Sequence, residues 1–249
     1  MIKKTFLLFT SAVICVYAKP YCGIQVSLSN ESLNLKIKGN DSSDPGWAGV
    51  ILHFNPTYTQ HLPINAPGFG LLAGYAWPIN HQYAFFTEFF YTYHNKKIEK
   101  NNIDMMDATD DHYLGNESVS IRKRHQYGLL AGVESKITDS LFGILGCGVT
   151  LTQYDASAHH VAPNGMIRPE NARQNTAYVM AFEPTLGVRY HINDGVSARL
   201  LAGYSLGKQK KVLDNYVRHQ TMRDAGVSNR VWIKPRGLKV SLALIKQFG

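Results

Sequence analysis

The sequence predicts an all-β chain: a closed, eight-stranded, antiparallel up-and-down transmembrane barrel with short turns at one end and four long loops at the other. Three observations carry that prediction. Apolar and polar residues alternate with period two through a series of stretches. These stretches come in pairs joined by short polar turns, and long polar segments separate the pairs. The faces opposite the apolar ones carry charge and glycine, as the crowded lumen of a small barrel would.

The pairing is seen best by aligning three segments: GLLAGYAWPINHQYAFFTEFFYTY from Gly70, GLLAGVESKITDSLFGILGCGVTL from Gly128, and EPTLGVRYHINDGVSARLLAGYSL from Glu183. Each is one hairpin, and Gly74, Gly132 and Gly187 recur at spacings of 58 and 55 residues. In chain order the predicted strands cover 20–37, 68–77, 83–96, 122–137, 141–155, 175–192, 195–209 and 230–248. The stretch GWAGVILHF at 46–54 reads either as an extra or alternative first strand or as part of the first external loop.

Period two assigns the faces. Phe69, Leu71, Tyr75 and Trp77 share a side, as do Phe85, Phe89, Tyr91 and Tyr93, and then Leu129, Leu145, Met180, Leu200 and Leu242 on later strands. These sides are expected to face lipid, with Tyr and Trp near strand ends as interfacial girdles. Cys22 and Cys147 fall on the lipid side of strands on opposite sides of the barrel, so no disulfide between them is expected.

Composition fits this picture. Of 249 residues, 45% are hydrophobic and 18% charged, which suits a folded chain rather than a disordered one. The first twenty, MIKKTFLLFTSAVICVYAKP, place Lys3 and Lys4 before an apolar run, with Val16 and Ala18 where a signal peptidase inspects. A secretory signal peptide is expected over 1–18 and the barrel domain over 19–249. The run is shorter than the roughly 20 residues of a spanning helix. Losing Lys3 and Lys4 takes the formal net charge from +8 to +6.

Two sets of charged residues stand out. Glu88, Arg124, Glu134, Lys136, Glu183, Arg189, Arg199 and Lys239 fall on the inward faces, and charges in a narrow lumen are tolerable only when paired. They are expected to form an internal salt-bridge network. The second set is a basic loop between 208 and 230, with Lys208, Lys210, Lys211, Arg218, Arg223 and Arg230 giving a net charge of +4. A segment at 98–121 carries the opposite sign, with a net charge of −5. The two loops either attract each other over the barrel mouth or engage partners, the basic one with lipopolysaccharide phosphates or host glycans.

Other chemistry finds little support. The acidic run DMMDATDDH lacks the spacing and glycine of a calcium loop, and the ten histidines, including His159 and His160, have no partners at zinc-site spacing. No metal or cofactor is expected. A lipid-hydrolysing barrel needs a nucleophile beside a base, yet His125 is followed by Gln126 and Tyr127. Enzymatic activity and nucleic-acid binding are therefore not expected.

With its Gly-punctuated hairpins and a final alternating strand ending near Phe248, the sequence resembles the OmpA-type transmembrane domain and related bacterial surface antigens. The segment LLAGYAWPINHQYAFFTEFFY, with its Gly-Tyr and aromatic-rich third strand, carries most of the likeness. The resemblance implies a location in the Gram-negative outer membrane, and assembly through the barrel-assembly machinery with Phe248 as the recognition residue. That family usually ends on Phe itself, whereas here Gly249 follows. It also implies a structural or surface-interaction role in envelope integrity, adhesion or host contact. The alternative is a small porin-like channel for ions or small solutes.

Overall fold

The computed structural model describes residues 18–39, 57–106, 113–161, 173–216 and 229–248, and these form ten strands. They are β1 (Lys19–Gly39), β2 (Thr57–Pro78), β3 (Tyr83–Met106), β4 (Tyr113–Lys136), β5 (Leu141–Val161), β6 (Arg173–Asn193), β7 (Val196–Gly207), β8 (Lys210–Tyr216), β9 (Asn229–Ile233) and β10 (Pro235–Gln247). All pairings are antiparallel, and β10 pairs with β1 to close the sheet. A break at Lys208 and Gln209 divides one stave into β7 and β8, and a break at Lys234 divides another into β9 and β10. Ten strands therefore make the eight predicted staves. Residues 1–17 and the stretch 46–54 lie outside the described residues.

The turn-end half of the molecule is a barrel with its apolar side outward. Ile24, Val26, Leu71, Leu129, Leu145 and Leu186 are 49% to 72% exposed on neighbouring staves. A continuous apolar surface of this extent is untenable in water. In lipid it is stable, because closure leaves no backbone edge unpaired. This half is a membrane-spanning barrel. Its hairpins are fixed locally: the Asn80 side-chain oxygen accepts from the N–H groups of Gln82 and Tyr83 at 2.8 and 2.9 Å, and Gly195 takes a positive φ of 84° in the β6–β7 turn.

Towards the loop end the wall divides. β2 pairs with β3 only from Gly68 to Pro78, and β6 pairs with β7 only from Ala181 onward. Beyond those points β3, β4, β5 and β6 remain paired as one four-stranded sheet. β2, β1, β9 and β8 make another. Leu33, Leu35, Ile64, Ile121, Val179 and Ile233 pack in one buried cluster between them. This half is a β-sandwich, apolar within.

The edges of the two sheets carry the residues that edges require. Pro63 and Pro67 sit in the part of β2 that pairs with β1 alone, where a missing N–H on the free side costs nothing. Lys96 and Lys97 mark the start of the free stretch of β3, and charge there discourages pairing with another chain.

The sandwich corrects several strand boundaries. β2 begins at Thr57 rather than 68; β3 and β4 fill most of the segment expected as an acidic loop, and β8 and β9 fill part of the basic one. Prolines and charges conceal strand pattern there, because only one face is apolar and it is sparsely so. Ile64 and Ala66 mark that face in β2, Val119 and Ile121 in β4.

Candidate functional site

The inward face of the membrane half gathers charge because the outward face has taken the apolar residues. Glu88 on β3 accepts two hydrogen bonds from Arg199 on β7, at 2.6 Å from Nη1 and 2.8 Å from Nη2, and a third from the Tyr21 hydroxyl at 3.1 Å. This is a bidentate guanidinium–carboxylate pair, the strongest such geometry, spanning the lumen. Glu134 on β4 is paired with Arg189 on β6. Lys239 on β10 lies 3.4 Å from Glu183 on β6, and its ammonium sits 4.2 Å from the centroid of the Phe90 ring. All six charged groups are buried, with exposures of 5% or less.

Aromatic rings fill the space between these pairs. Tyr21, Phe86 and Phe90 belong to one buried cluster with Leu130 and Leu201. Glycine makes room for them: a Cβ on Gly128 would lie 2.2 Å from the Phe90 ring. The cavity lined by Glu183, Thr150, Thr185 and Lys239 has a volume of about 20 Å³, space for about one water molecule.

Two predicted members of the network lie elsewhere. Arg124 is directed to the outer surface, where its Nε donates to Asp155 at 2.8 Å. The cause is a pair of β-bulges: the β3–β4 register slips between Tyr93 and Lys96, and the β4–β5 register between Lys123 and Gln126. An extra residue shifts the alternation by one, and the inward position passes to Lys123. Lys136 lies exposed at the turn end of β4, 2.7 Å from Asp139. The hydrogen bond and charge of Lys136 hold the Asp139 carboxyl below the ordinary aspartate range. Lys136 is the last residue of its strand, so its parity no longer fixes a lumen position.

Sequence reasoning also missed a second buried network at the junction of barrel and sandwich. Lys123 donates to Glu31 at 2.5 Å and to Ser29 at 3.1 Å, while the Tyr154 hydroxyl donates to the other oxygen of Glu31 at 3.0 Å. Below it His94 contacts the carbonyl of Pro67 and the side chain of Gln126, and Gln25 donates to Thr92 at 2.9 Å. Glu31 keeps the inward phase of Gln25, Ser27 and Ser29, and that alternation was the available signal.

The basic loop is only partly described. Lys208 and Lys210 are exposed and Lys211 is half-buried on β8, the backbone of Arg230 pairs with Lys38, and Arg218 and Arg223 lie outside the described residues. Cys22 and Cys147 are free and exposed on the outer wall. Phe248 is 47% exposed beside the β1 end, where its N–H donates to the Pro20 carbonyl at 2.9 Å.

No protein-family model matches the chain, and no curated protein matches it by sequence. Among solved structures it is similar to Ail, the attachment invasion locus protein of Yersinia pestis, at 10% identity over 88% of this chain and 97% of that one, with a TM-score of 0.31. It is similar to the outer membrane protease OmpT of Escherichia coli at 8% identity over 92% and 97%, TM-score 0.44. Neisserial surface protein A gives 13% over 89% and 96%, TM-score 0.32. At these values the likenesses carry no argument about role. The closed register and the apolar belt establish the fold on their own: a small, eight-staved, membrane-spanning β-barrel of the outer-membrane type.

Proposed function

We propose that the chain is a plugged outer-membrane barrel with a structural and surface-interaction role, contributing to envelope integrity and presenting its loop end for adhesion or host contact. The observation that supports this is the filled interior. Ion pairs and aromatic rings occupy the membrane half, and an apolar core occupies the half above it. Eight staves leave an interior about wide enough for side chains, and here side chains fill it. What remains for function is the surface. The basic residues Lys208 and Lys210 are the candidates for contact with lipopolysaccharide phosphates or host glycans. The outward apolar face of β10, ending in Phe248, is the candidate signal for the barrel-assembly machinery.

The test is single-channel conductance of the refolded chain, residues 19–249, in planar bilayers, with folding verified by a heat-dependent gel shift. A silent membrane is expected. Reproducible conductance steps whose ion selectivity changes in Glu134→Gln would overturn the plug and favour a small porin-like channel.

A further inference from the structure

We propose that the outer surface of the β3–β6 sheet, immediately above the membrane belt, carries a binding site for the phosphate of a lipid headgroup, centred on Arg122 and Arg124. The proposal rests on the membrane-barrel reading and names a ligand for its wall, apart from the basic loop.

The register places the components at known heights. Tyr91, Tyr127, Leu151 and Met180 form one row across β3, β4, β5 and β6. Above it lie Tyr93, His125, Gln153 and Tyr178. The next matched row is Lys97, Arg122, Asp155 and Thr176, and above that come Glu99, Ser120, Ser157 and Gln174. Matched rows on one face stand about 7 Å apart along a strand. The charged row therefore begins within one step of an aromatic girdle, the level at which headgroups meet hydrocarbon.

A polar cleft of about 650 Å³ opens on that row, lined by Lys97, Arg122, Arg124, Asp155 and Thr176 among others. Its acidic member is already committed. Asp155 accepts from Arg124 at 2.8 Å, from Thr176 at 2.9 Å and from Gln153 at 3.2 Å. Lys97 is paired with Glu99 at 2.8 Å. Arg122 has no hydrogen-bond or ion-pair partner among the described residues, although it is half-buried.

A guanidinium held at Nε by Asp155 keeps its terminal amino groups in a fixed fork, the shape that matches a phosphate. Beside it stands a second guanidinium with no carboxylate of its own. Two residues apart, the arginines share a face, and the bulge between Lys123 and Gln126 turns that face outward; without it, the alternation set by the membrane half would send both side chains inward. Basic clusters at the membrane surface recognise phosphorylated headgroups through the same combination of charge and fork geometry.

The experiment uses the refolded chain in detergent with lipid A, its dephosphorylated form, or inorganic phosphate as probe, and counts retained lipid by native mass spectrometry. The wild-type protein is expected to retain lipid A and to lose it when the phosphates are removed. Millimolar inorganic phosphate alone should compete poorly, marking the ligand as a lipid rather than a free anion. Arg122→Gln with Arg124→Gln should weaken retention roughly tenfold or more, the loss expected for charge-assisted hydrogen bonds. Lys136→Ala, which removes one positive charge at the opposite end of the barrel and so matches Arg122→Gln alone in charge, should retain lipid normally.

Equal retention of the dephosphorylated lipid, or of lipid A by the double variant, would overturn the site. If the double variant lost its gel shift, Arg122→Gln alone would give the same test, because that side chain supports no neighbour. Efficient competition by inorganic phosphate would overturn the lipid assignment. Failure of the wild-type chain to show a gel shift in detergent would instead overturn the barrel reading beneath it.

Discussion

The two halves of this molecule are made from the same strands and follow opposite rules. In the membrane half of β1, Ile24, Val26 and Leu28 face outward while Gln25, Ser27 and Ser29 face in. A few residues further along, Leu33 and Leu35 are fully buried and the outward positions are Asn30, Ser32 and Asn34. β2 repeats the inversion, with Leu71 out below and Ile64 in above. The phase of these strands does not change; the solvent does. Lipid accepts apolar side chains on the outside, so the lumen must receive the polar ones and pair them. Water excludes apolar side chains, so the two sheets close on each other above the belt. The change of rule marks the membrane boundary on each strand.

This difference predicts which half fails when each core is damaged. The largest effect is expected at the buried ion pairs. Replacing Arg199 with alanine leaves Glu88 buried without its bidentate partner, and removing one member of a buried pair costs about 3–5 kcal/mol. The heat-dependent gel shift should move to lower temperature. The double variant Arg199→Met, Glu88→Leu should recover most of that loss, because no charge is then stranded. If the double variant proves as unstable as the single one, the pair contributes by packing rather than by charge.

In the sandwich the corresponding damage is a cavity. Leu33 is fully buried in the upper cluster, and Leu33→Ala should cost about 2–5 kcal/mol of local stability. The consequence should be confined to the loop end. Limited proteolysis of cells or refolded protein should cut the extracellular half more readily, while the gel shift of the barrel stays near the wild-type temperature. A parallel drop in the gel-shift temperature would show that the two halves unfold together and that the inversion does not divide them energetically.

How much of this was legible in the sequence depended on how strongly each half patterned its residues. The belt was read residue by residue, because Leu, Phe and Tyr at every second position leave little choice, and the inward positions of Glu88, Glu134, Glu183, Arg189, Arg199 and Lys239 followed from the same alternation. The sandwich was hidden. Its outward face is polar, its strands contain Pro63 and Pro67, and its apolar face uses residues as small as Ala66, Ala156 and Ala158. Arg124 went wrong for a different reason. A bulge is a backbone irregularity without a side-chain signature, and RKRHQY at 122–127 offers charged residues in both phases. The structure settles the phase by giving Lys123 to Glu31 and Arg124 to the outer wall.

A smaller effect is expected where the change in the barrel core is one of volume and leaves every charge paired. Gly128→Ala would place a methyl group against the Phe90 ring, and the ring is hemmed in by Leu130, Leu201 and the Lys239 ammonium. Overpacking of this kind costs about 1–3 kcal/mol. Phe90→Leu in the same chain should relieve the crowding and restore the gel-shift temperature in part. No rescue would mean that the backbone rather than the ring yields.

The smallest effect belongs to the turn-end pair of Lys136, which alternation wrongly places in the lumen, with Asp139. Lys136 and Asp139 meet in water, where screening and side-chain entropy leave little net gain. Asp139→Asn is accordingly expected to leave the gel-shift temperature unchanged at neutral pH. The sign of its pH dependence still follows from the depressed carboxyl. A group whose folded pKa lies below its unfolded value stabilises at pH above the unfolded value and loses that contribution as pH falls through the folded one. Any difference between wild type and Asp139→Asn should therefore begin to shrink as pH falls to the ordinary aspartate range, about 4, and vanish only below it, once the carboxyl of the folded protein is protonated. Arg199→Ala is expected to stay destabilised at neutral pH whatever the salt concentration, because its pair lies beyond the reach of screening ions. If salt abolished the Arg199 effect as it does surface ion pairs, water would have to reach the middle of the lumen, and the plug would be open.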